Sequence, residues 1–440
     1  MKKPLQLPPP SRKIPKDAAR AVKRVDSLKT QAVTAKTLSE LLGLPGMRVT
    51  RFAIEEENEE QYLHLFCEHD RDVAICPRCL KATNQVHEEK ERCVRHLDIW
   101  GMKTLVHFPS RRFDCAVCGK PFTENLTWIE SKRRQTSVFE MHIYERVKNK
   151  TPRKQVALQE GLHEATVLDI FKHRAKRAAR QVDGRRVRIL GVDEISLHKG
   201  HKQYALVFSD LERRRVIAVL PNRLKKTFEE WLDGLTEEER RAIKVVSMDM
   251  WKAYRQAVRK KLPHAQIVAD RFHMMKQLNH QIDLMRRRIQ RKAKKYGDEA
   301  LYQALKGSRW VLLKNRRELT PEQEAQLCTI LAISDELRAL YLLKEEFRTI
   351  CDKITDRARA QRFLWAWTGK ALATGSRYLT RFVKTLNNWW HEFLNYFDAR
   401  VTQGFVEGIN RAIRGIIDRA FGYRNFDNFR LQVLVECGDV

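Results

Sequence analysis

Two aspartates each follow a short apolar run that is typical of a buried strand. Asp193 comes directly after ILGV, and Asp249 comes directly after VVSM. If the two strands are neighbours, their carboxylates repel each other unless a cation lies between them, and Mg²⁺ or Mn²⁺ prefers such oxygen ligands. A pair of these ions supports in-line attack of a water or a hydroxyl on a phosphodiester. The alternative interpretation is that each acid only caps a turn.

Two pairs of cysteines have the spacing of a metal-binding knuckle. CPRC contains Cys76 and Cys79, and CAVC contains Cys115 and Cys118. Each pair can place two thiolates on one tight turn, and two such turns complete a tetrahedral zinc site. Because four protein ligands leave zinc no open position, we expect structural Zn²⁺ that supports folding and DNA docking. Four free, buried thiols are the alternative.

A helix-turn-helix pattern follows the cysteines. PRKQVALQE places Pro152 at the expected first helical position, Gly161 interrupts the helical pattern, and HEATVLDIFKHRAKR resumes it. The basic end of the second helix could contact phosphates while the same helix reads base edges. We therefore predict DNA contacts for Arg174, Lys176 and Arg177. A helical hairpin without a ligand is the alternative.

The charge balance also favours a polyanionic partner. The 440 residues include 85 Lys and Arg against 55 Asp and Glu, a formal net charge of +30. Nucleic acid is the first candidate for such a partner, although solvated basic helices produce the same composition. No run approaches the roughly 20 apolar residues that a membrane span needs. The N-terminus also lacks the apolar core of a secretory signal, so we predict a cytoplasmic protein without a membrane partner.

The order of strands and helices predicts the fold around the two aspartates. Residues 185–222 contain three strand-like runs joined by short turns, which indicates an antiparallel meander. Strands at 243–250 and 265–270 each follow a helix and are expected to join the sheet in parallel. This order predicts an RNase H-like mixed five-stranded sheet with helices. Alternation along the first strand would point Glu194 to the face opposite Asp193, so we interpret Glu194 as non-catalytic.

A long all-helical region follows the last strand. From Arg271 to about Arg400 apolar residues recur at helical spacing with almost no strand signal. Its basic run MRRRIQRKAKK is too densely charged for a buried helix and is predicted to lie along DNA phosphates. The DNA-contact candidates in this run are Arg286, Arg287 and Arg288. A solvated helix face is the alternative.

A third acid lies in a late helix. QGFVEGINRAIRGI places Glu407 one turn into the helix, and Asn410, Arg411 and Arg414 follow at three, four and seven residues, on the same face. Arg411 and Arg414 are further candidates for DNA contact.

Taken in order, GVDE, SMDMWKAY, VADRFHMMK and GFVEGINRAIRGIIDRAFGYRNFDNFRL closely resemble insertion-sequence transposases of the ISL-three family. The resemblance continues upstream through LLGLPGMRV, the paired CxxC finger with RRFDC, and the helix-turn-helix. It covers about residues 38–435. It departs at Leu80, where a glycine is expected after the first CxxC, and in the Pro-rich basic arm, 1–37, which has no counterpart.

The resemblance implies a DDE transposase in which Asp193, Asp249 and Glu407 are catalytic and hold Mg²⁺ or Mn²⁺. It implies binding to double-stranded DNA at the terminal inverted repeats of an insertion sequence, cleavage at the element ends, and joining of the 3′ ends to target DNA. Asp270 and His273 match a C/D-x-x-H pair with a possible accessory role. A homodimer or larger assembly on DNA, associated with the bacterial nucleoid in the cytoplasm, is the family-level expectation.

The predicted architecture is therefore a multidomain α+β protein with a finger and a helix-turn-helix before a sheet interrupted by helices. The expected divisions begin with a flexible basic arm (1–37), a hairpin with the zinc-binding domain (38–130) and the helix-turn-helix (131–182). The first part of the catalytic core (183–274), the all-helical insertion (275–396) and the second part of the core with the C-terminal tail (397–440) follow. Two rival functions stay open. One is a zinc-dependent, sequence-specific DNA-binding regulator with an inactive RNase H-like scaffold, and the other is a nuclease or resolvase that cleaves without strand transfer.

Overall fold

The computed structural model describes residues 33–181, 187–197, 203–399 and 404–438. They divide into two compact units, one ending at His142 and the other beginning at Ile143. The predicted basic arm lies almost entirely outside the described residues, and a helix is already formed from Ala35. Within the described part of the chain, no helix is long and apolar enough to span a bilayer.

The first unit is built on a mixed sheet with a small two-stranded sheet beside it. Its elements are α1 (Ala35–Leu42), β1 (Met47–Glu57), β2 (Glu60–His69), β3 (Ala74–Ile75), β4 (Ala82–Thr83), β5 (Val86–Arg95), β6 (Lys103–Phe113) and β7 (Phe122–Thr123). The larger sheet has the order β1-β2-β6-β5, with β7 on β6, and β3 pairs with β4. The predicted hairpin is β1 and β2, which turn through Asn58 and Glu59, both at positive φ. An apolar cluster that includes Leu65, Val106 and Phe108 packs beneath the sheet.

Three helices follow β7 along the chain. They are α2 (Ser137–Lys148), α3 (Arg153–Glu160) and α4 (Glu164–Gln181). Gly161 ends α3 at φ +65°, a left-handed conformation that glycine adopts without strain, and this confirms the predicted turn. Pro152 is the N-cap residue of α3 and not its first helical residue. The helix therefore begins at Arg153, one residue later than predicted. The end of a helix is often displaced by one residue in this way because capping geometry decides it.

The second unit contains the sheet that carries the predicted acids. Its strands are β8 (Ile189–Ser196), β9 (Tyr204–Asp210), β10 (Arg215–Leu220), β11 (Val245–Met248) and β12 (Gln266–Ala269). The order is β10-β9-β8-β11-β12. β8, β9 and β10 are antiparallel, whereas β11 runs parallel to both β8 and β12. The predicted RNase H-like mixed sheet is therefore confirmed, including the adjacency of the two strands that precede the aspartates.

Helices cover both faces of this sheet. The helices between the strands are α5 (Lys225–Asp233), α6 (Glu237–Ala242) and α7 (Lys252–Lys261). Phe228 of α5 and Tyr254 of α7 pack on the face formed by Leu190, Val192 and Phe208. On the opposite face lie α16 (Gly404–Arg419) and α17 (Phe426–Cys437). Residues from both of these helices and the sheet form that second core: Ile195, Val207, Val219, Ile409, Ile413, Ile416, Phe429 and Val433.

An all-helical region lies between β12 and α16, as predicted. Its helices are α8 (Arg271–Tyr296), α9 (Glu299–Leu305), α10 (Arg309–Leu313), α11 (Pro321–Ile333), α12 (Asp335–Lys353), α13 (Arg357–Ala373), α14 (Arg377–Asn388) and α15 (Trp390–Ala399), with a short 3₁₀ turn at Arg316–Glu318. Buried Trp367 packs against Phe347 and Phe382, with ring centroids 5.0 Å and 5.6 Å away. These aromatic side chains belong to the same continuous apolar core as Leu190 and Val192 of the sheet.

Candidate active site

Asp193 lies within β8, not at its end. The strand continues to Ser196 because its pairing with β9 extends that far, and Asp193 itself lies opposite Val207. The apolar run ILGV is therefore only the first half of the strand. Its half-buried side chain shares the sheet face of Ile195, which α16 covers.

Asp249 lies beside Asp193 because their strands are paired. Met248 is the register partner of Val192, so each aspartate follows one member of the same parallel pair. Burial of Asp193 and the negative charge of Asp249 raise the pKa of the Asp193 carboxyl to about 6. Burial and a neighbouring carboxylate both disfavour the charged form of Asp193, and a cation near the two carboxylates would relieve that cost. The carboxylates thus occupy a position that favours a bound cation.

Asn410 joins this site from α16. Its Nδ2 donates a hydrogen bond to Asp193 Oδ2 at 2.5 Å, and the backbone N–H of Glu194 donates to Asp193 Oδ1 at 2.7 Å. The Oδ1 atom of Asn410 is buried and has no hydrogen-bond partner. An unpaired amide oxygen on a side chain that holds the Asp193 carboxylate fits a hard cation or one of its bound waters. Sequence reasoning placed Asn410 on the face of Glu407 but did not foresee this contact.

Asp270 and His273 surround Asp249 from the start of α8. His273 Nδ1 lies 2.6 Å from Asp249 Oδ1 and 2.7 Å from Asp270 Oδ2. Burial alone would lower the pKa of His273, but hydrogen bonds to the two carboxylates outweigh it and raise the pKa to about 10. The two carboxylates therefore favour the protonated form of the His273 ring. Asp270 also accepts from the Phe272 backbone N–H, so it caps α8 while it binds His273.

Glu407 is exposed in the first turn of α16, one turn before Asn410. Among the described residues, the ligand atoms of Asp249, Asp270 and His273 all lie within 4.8 Å of one another, and neither Asp193 nor Glu407 belongs to that group. The structure therefore brings two predicted aspartates together with the Asp270 and His273 pair, and it places Glu407 on the adjoining helix.

Glu194 points to the other face of the sheet, as the alternation of the strand predicted. Its carboxylate accepts a hydrogen bond from the Tyr254 hydroxyl at 2.7 Å and pairs with Arg223 Nη1 at 3.0 Å. Arg223 was not identified from the sequence. The signal that could have indicated it is a second acid in a core strand, because a half-buried carboxylate needs a cationic or hydroxyl partner.

The four predicted zinc ligands converge in the first unit. The sulfur atoms of Cys76, Cys79, Cys115 and Cys118 all lie within 4.8 Å of one another. Cys79 Sγ is 3.5 Å from Cys115 Sγ, and Cys76 Sγ is 3.9 Å from Cys118 Sγ. A tetrahedral zinc with Zn–S bonds of about 2.3 Å has sulfur–sulfur distances of about 3.8 Å. The cysteine geometry therefore fits one structural zinc ion.

The two knuckles share a backbone conformation. The residue after each CxxC donates its N–H to the first cysteine of the pair, Leu80 to Cys76 O at 2.9 Å and Gly119 to Cys115 O at 2.8 Å. Both residues have positive φ, +59° at Leu80 and +63° at Gly119. Leu80 thus occupies a left-handed position that glycine adopts more readily.

The predicted DNA-contact residues differ in their exposure. Lys176, Arg177, Arg287, Arg411 and Arg414 are exposed, and Arg288 is half-buried. Arg174 and Arg286 are buried, and Arg286 donates to Asp283 Oδ1 at 2.8 Å. The burial of Arg174 and Arg286 does not favour a direct phosphate contact by either residue.

The strand order and the carboxylates on its central strands define an RNase H-like protein with an acidic site at the middle of the sheet. A family model described as "Transposase" matches residues 190–433. A second model, for the zinc-finger of transposase IS204/IS1001/IS1096/IS1165, matches residues 72–118. A third, for the helix-turn-helix domain of transposase family ISL3, matches residues 124–175. The chain belongs to the ISL3 family of insertion-sequence transposases. Membership also implies DNA binding through the helix-turn-helix.

Two relatives illustrate the extent of the similarity. The chain is 30% identical over 400 residues to the transposase for insertion sequence element IS1001 of Bordetella parapertussis, covering 90% of this chain and 97% of that protein. It is 28% identical over 281 residues to the transposase for insertion sequence element IS1557 of Mycobacterium tuberculosis, covering 59% of this chain and 62% of that protein. The similarity to the IS1001 transposase therefore extends over most of the chain.

Proposed function

We propose that this protein binds the terminal inverted repeats of an insertion sequence, cleaves at the element ends and joins the 3′ ends to target DNA. The observation that carries the proposal is the convergence of Asp193, Asp249 and Asn410 from two paired strands and a late helix. Family membership indicates which reaction such a site serves.

Asp193 and Asp249, with Glu407 from the helix that carries Asn410, would hold Mg²⁺ or Mn²⁺. Two observations support a hard cation at this site, the raised pKa of Asp193 and the unpartnered Asn410 Oδ1. A hard cation would relieve the repulsion between the two carboxylates, and the amide oxygen could coordinate it. When bound, such ions activate an attacking water or 3′-hydroxyl and stabilise the leaving oxygen.

The residues of the chain prepare this site by fixing the carboxylates. Asn410 and the Glu194 backbone N–H each hold one oxygen of Asp193, which sets the orientation of its carboxylate. His273 holds the carboxylates of both Asp249 and Asp270 through its Nδ1 atom. A site whose side chains are already oriented loses less free energy to reorganisation during the reaction.

The other parts of the chain would bring DNA to this site. The zinc ribbon would order its two knuckles, and the exposed Lys176 and Arg177 at the end of α4 would contact phosphates of the terminal repeats. Because two element ends must be brought together, we propose that a dimer or larger assembly acts on DNA.

One experiment tests the proposal against its rivals. Purified protein is incubated with element-end DNA, a target plasmid and Mg²⁺, in parallel with Glu407→Gln and with Glu299→Gln as a control at another exposed first-turn glutamate. We expect cleavage and joining by the wild type and the control, and binding without cleavage by Glu407→Gln. Cleavage without joining by the wild type would indicate a nuclease or resolvase. Binding without either reaction would indicate a regulator, and full activity of Glu407→Gln would remove Glu407 from the site.

A further inference from the structure

Arg223 lies at the centre of a cluster around Glu194, whose side chain points to the sheet face opposite Asp193. Its Nη1 pairs with Glu194 at 3.0 Å, and its guanidinium carbon lies 4.2 Å from the ring centroid of Tyr204 and 4.9 Å from that of Trp251. Tyr254, which is fully buried, donates its hydroxyl to the same Glu194 at 2.7 Å. The cluster consists of Glu194, Arg223, Tyr204, Trp251 and Tyr254.

The cluster is connected to both aspartates through the backbone. Glu194 follows Asp193 directly, and its N–H is the group that donates to Asp193 Oδ1. Trp251 lies two residues after Asp249, and its N–H donates to the Asp249 carbonyl at 2.7 Å. The guanidinium of Arg223 is therefore contacted by Glu194, which follows Asp193, and by Trp251, which lies two residues after Asp249.

The packing fixes this guanidinium but does not bury it. Burial raises the pKa of the Tyr254 hydroxyl above its usual range, and the hydrogen bond to Glu194 raises it further, so this hydroxyl remains a donor. The Arg223 side chain is 35% exposed and Trp251 is 42% exposed. Arginine held over aromatic rings with free N–H groups is suited to bidentate recognition of phosphate.

The space beside Arg223 can accept part of a nucleic-acid strand. A cavity of about 520 Å³ is lined by apolar side chains, among them Leu224 and Ile417, and by the polar side chains of Asn222, Arg223 and Arg424. Two arginines therefore line a cavity that is also lined by Ile417 of the helix carrying Asn410. An open cavity with two cations favours a phosphodiester over a neutral ligand.

We propose that Arg223 binds a backbone phosphate of the DNA strand next to the cleaved phosphodiester, and that Glu194 is the positioning residue that orients it. The proposal rests on the proposed function, because the strand must reach Asp193 and Asp249 for Arg223 to meet its neighbouring phosphate. Glu194, which follows the metal-binding aspartate in sequence, then serves DNA positioning from the other face of the strand.

The test combines protein variants with DNA that carries a single uncharged methylphosphonate, placed in turn at each phosphodiester flanking the cleavage site. Binding to wild type, Arg223→Ala and Arg188→Ala is measured by fluorescence anisotropy. Arg188 is the matched control, because it lies just before β8 and pairs with Glu212 at 3.0 Å. One methylphosphonate position is expected to weaken wild-type binding about tenfold and to have no further effect on Arg223→Ala. The same position should still weaken binding by Arg188→Ala.

Two conservative variants separate positioning from folding. Arg223→Lys should recover part of the affinity, because it keeps the charge but not the planar fork. Glu194→Gln should keep the slope of binding against salt concentration, because Arg223 keeps its charge, whereas Arg223→Ala should reduce that slope by about one. In cleavage assays, Glu194→Gln should raise KM for the DNA more than it lowers kcat.

The proposal is overturned if every methylphosphonate position that weakens wild-type binding also weakens binding by Arg223→Ala, with Arg223→Lys retaining the wild-type thermal stability. It is also overturned if Glu194→Gln changes kcat alone. These outcomes are distinct from failure of the proposed function. A wild type that neither cuts nor joins but shows the Arg223 coupling contradicts the proposed reaction only, and an active wild type without the coupling contradicts this inference only.

Discussion

The Asn410 amide donates a hydrogen bond to the Asp193 carboxylate across a separation of 217 residues. This contact connects the central strand of the sheet with α16, the helix that carries Glu407. It also leaves Asn410 Oδ1 unpaired beside the aspartates. The correct position of α16 and the orientation of Asp193 therefore depend on each other, and this dependence leads to the first prediction.

Replacing Asn410 with aspartate should increase the Mg²⁺ concentration that half-maximal cleavage requires. The new carboxylate removes the donor to Asp193 and adds a negative charge, which raises the pKa of Asp193 above its value of about 6. Protons then compete with the metal, so the deficit should be larger at pH 6 than at pH 8.5. The measurement is a Mg²⁺ titration of cleavage at both pH values. Asn387→Asp, at an exposed position of α14, is the control, and an equal change in both variants would contradict the prediction.

Replacing Leu80 with glycine should strengthen zinc binding. Leu80 is 77% exposed and has φ +59°, so its side chain contributes little packing while its backbone is in the left-handed region. Glycine should relieve roughly 1 kcal/mol, which corresponds to about fivefold tighter zinc binding because metal binding and folding are coupled. Competition with a chromophoric chelator measures the change.

The reciprocal variant is the control for that prediction. A Cβ at Gly119 would have no heavy atom within 4 Å, so Gly119→Ala adds only the backbone cost of φ +63°. We expect it to weaken zinc binding by a similar factor. Unchanged zinc affinity in both variants would show that the left-handed positions carry no strain.

Removal of zinc should unfold the knuckles locally. The thiols converge in a small cluster with Phe113 and Phe122, and that cluster has few other apolar residues to hold it together. After chelation, or in Cys76→Ser, hydrogen exchange should accelerate over residues 74–83 and 113–123 and stay unchanged over β8 to β12. Cys93→Ser, at an exposed cysteine, is the control. Equal exchange with and without metal would contradict a structural role for zinc.

Acid should weaken the first unit through His96. Burial lowers the pKa of His96 to about 4, and its Nδ1 lies 2.9 Å from Thr136 Oγ1. Because the unfolded chain binds the proton first, with a pKa of about 6.5, folding is penalised as the pH falls from 6.5 towards 4 and is not penalised above that range. The penalty from this group is about 2 kcal/mol at pH 5.

Hydrogen exchange across residues 94–106, corrected for the intrinsic effect of pH, measures this loss. His96→Gln, which cannot titrate, should reduce the difference in protection between pH 7.5 and pH 5. The half-exposed His87 provides the control variant His87→Gln, which should keep the full difference. An identical pH response in wild type and His96→Gln would exclude His96 as the cause.

Local patterns of the sequence were sufficient to predict much of the architecture. The CxxC pairs, the Gly161 turn and the order of the strands depend on residues close together in the chain, and each corresponds to an element that the structure contains. The alternation of a strand was also sufficient to separate Asp193 from Glu194, because successive side chains point to opposite faces.

Tertiary structure decided the properties that depend on distant residues. Whether Arg174 and Arg286 face solvent depends on helices that pack against them, and their basic composition gave no sign of their burial. The partner of Glu194 is Arg223 from beyond β10, and the partner of Asp193 is Asn410 from α16. The sequence by itself determined which elements form and which acids they carry, since short-range periodicity encodes both. Only the tertiary structure decided which side chains meet, because that depends on how the elements pack.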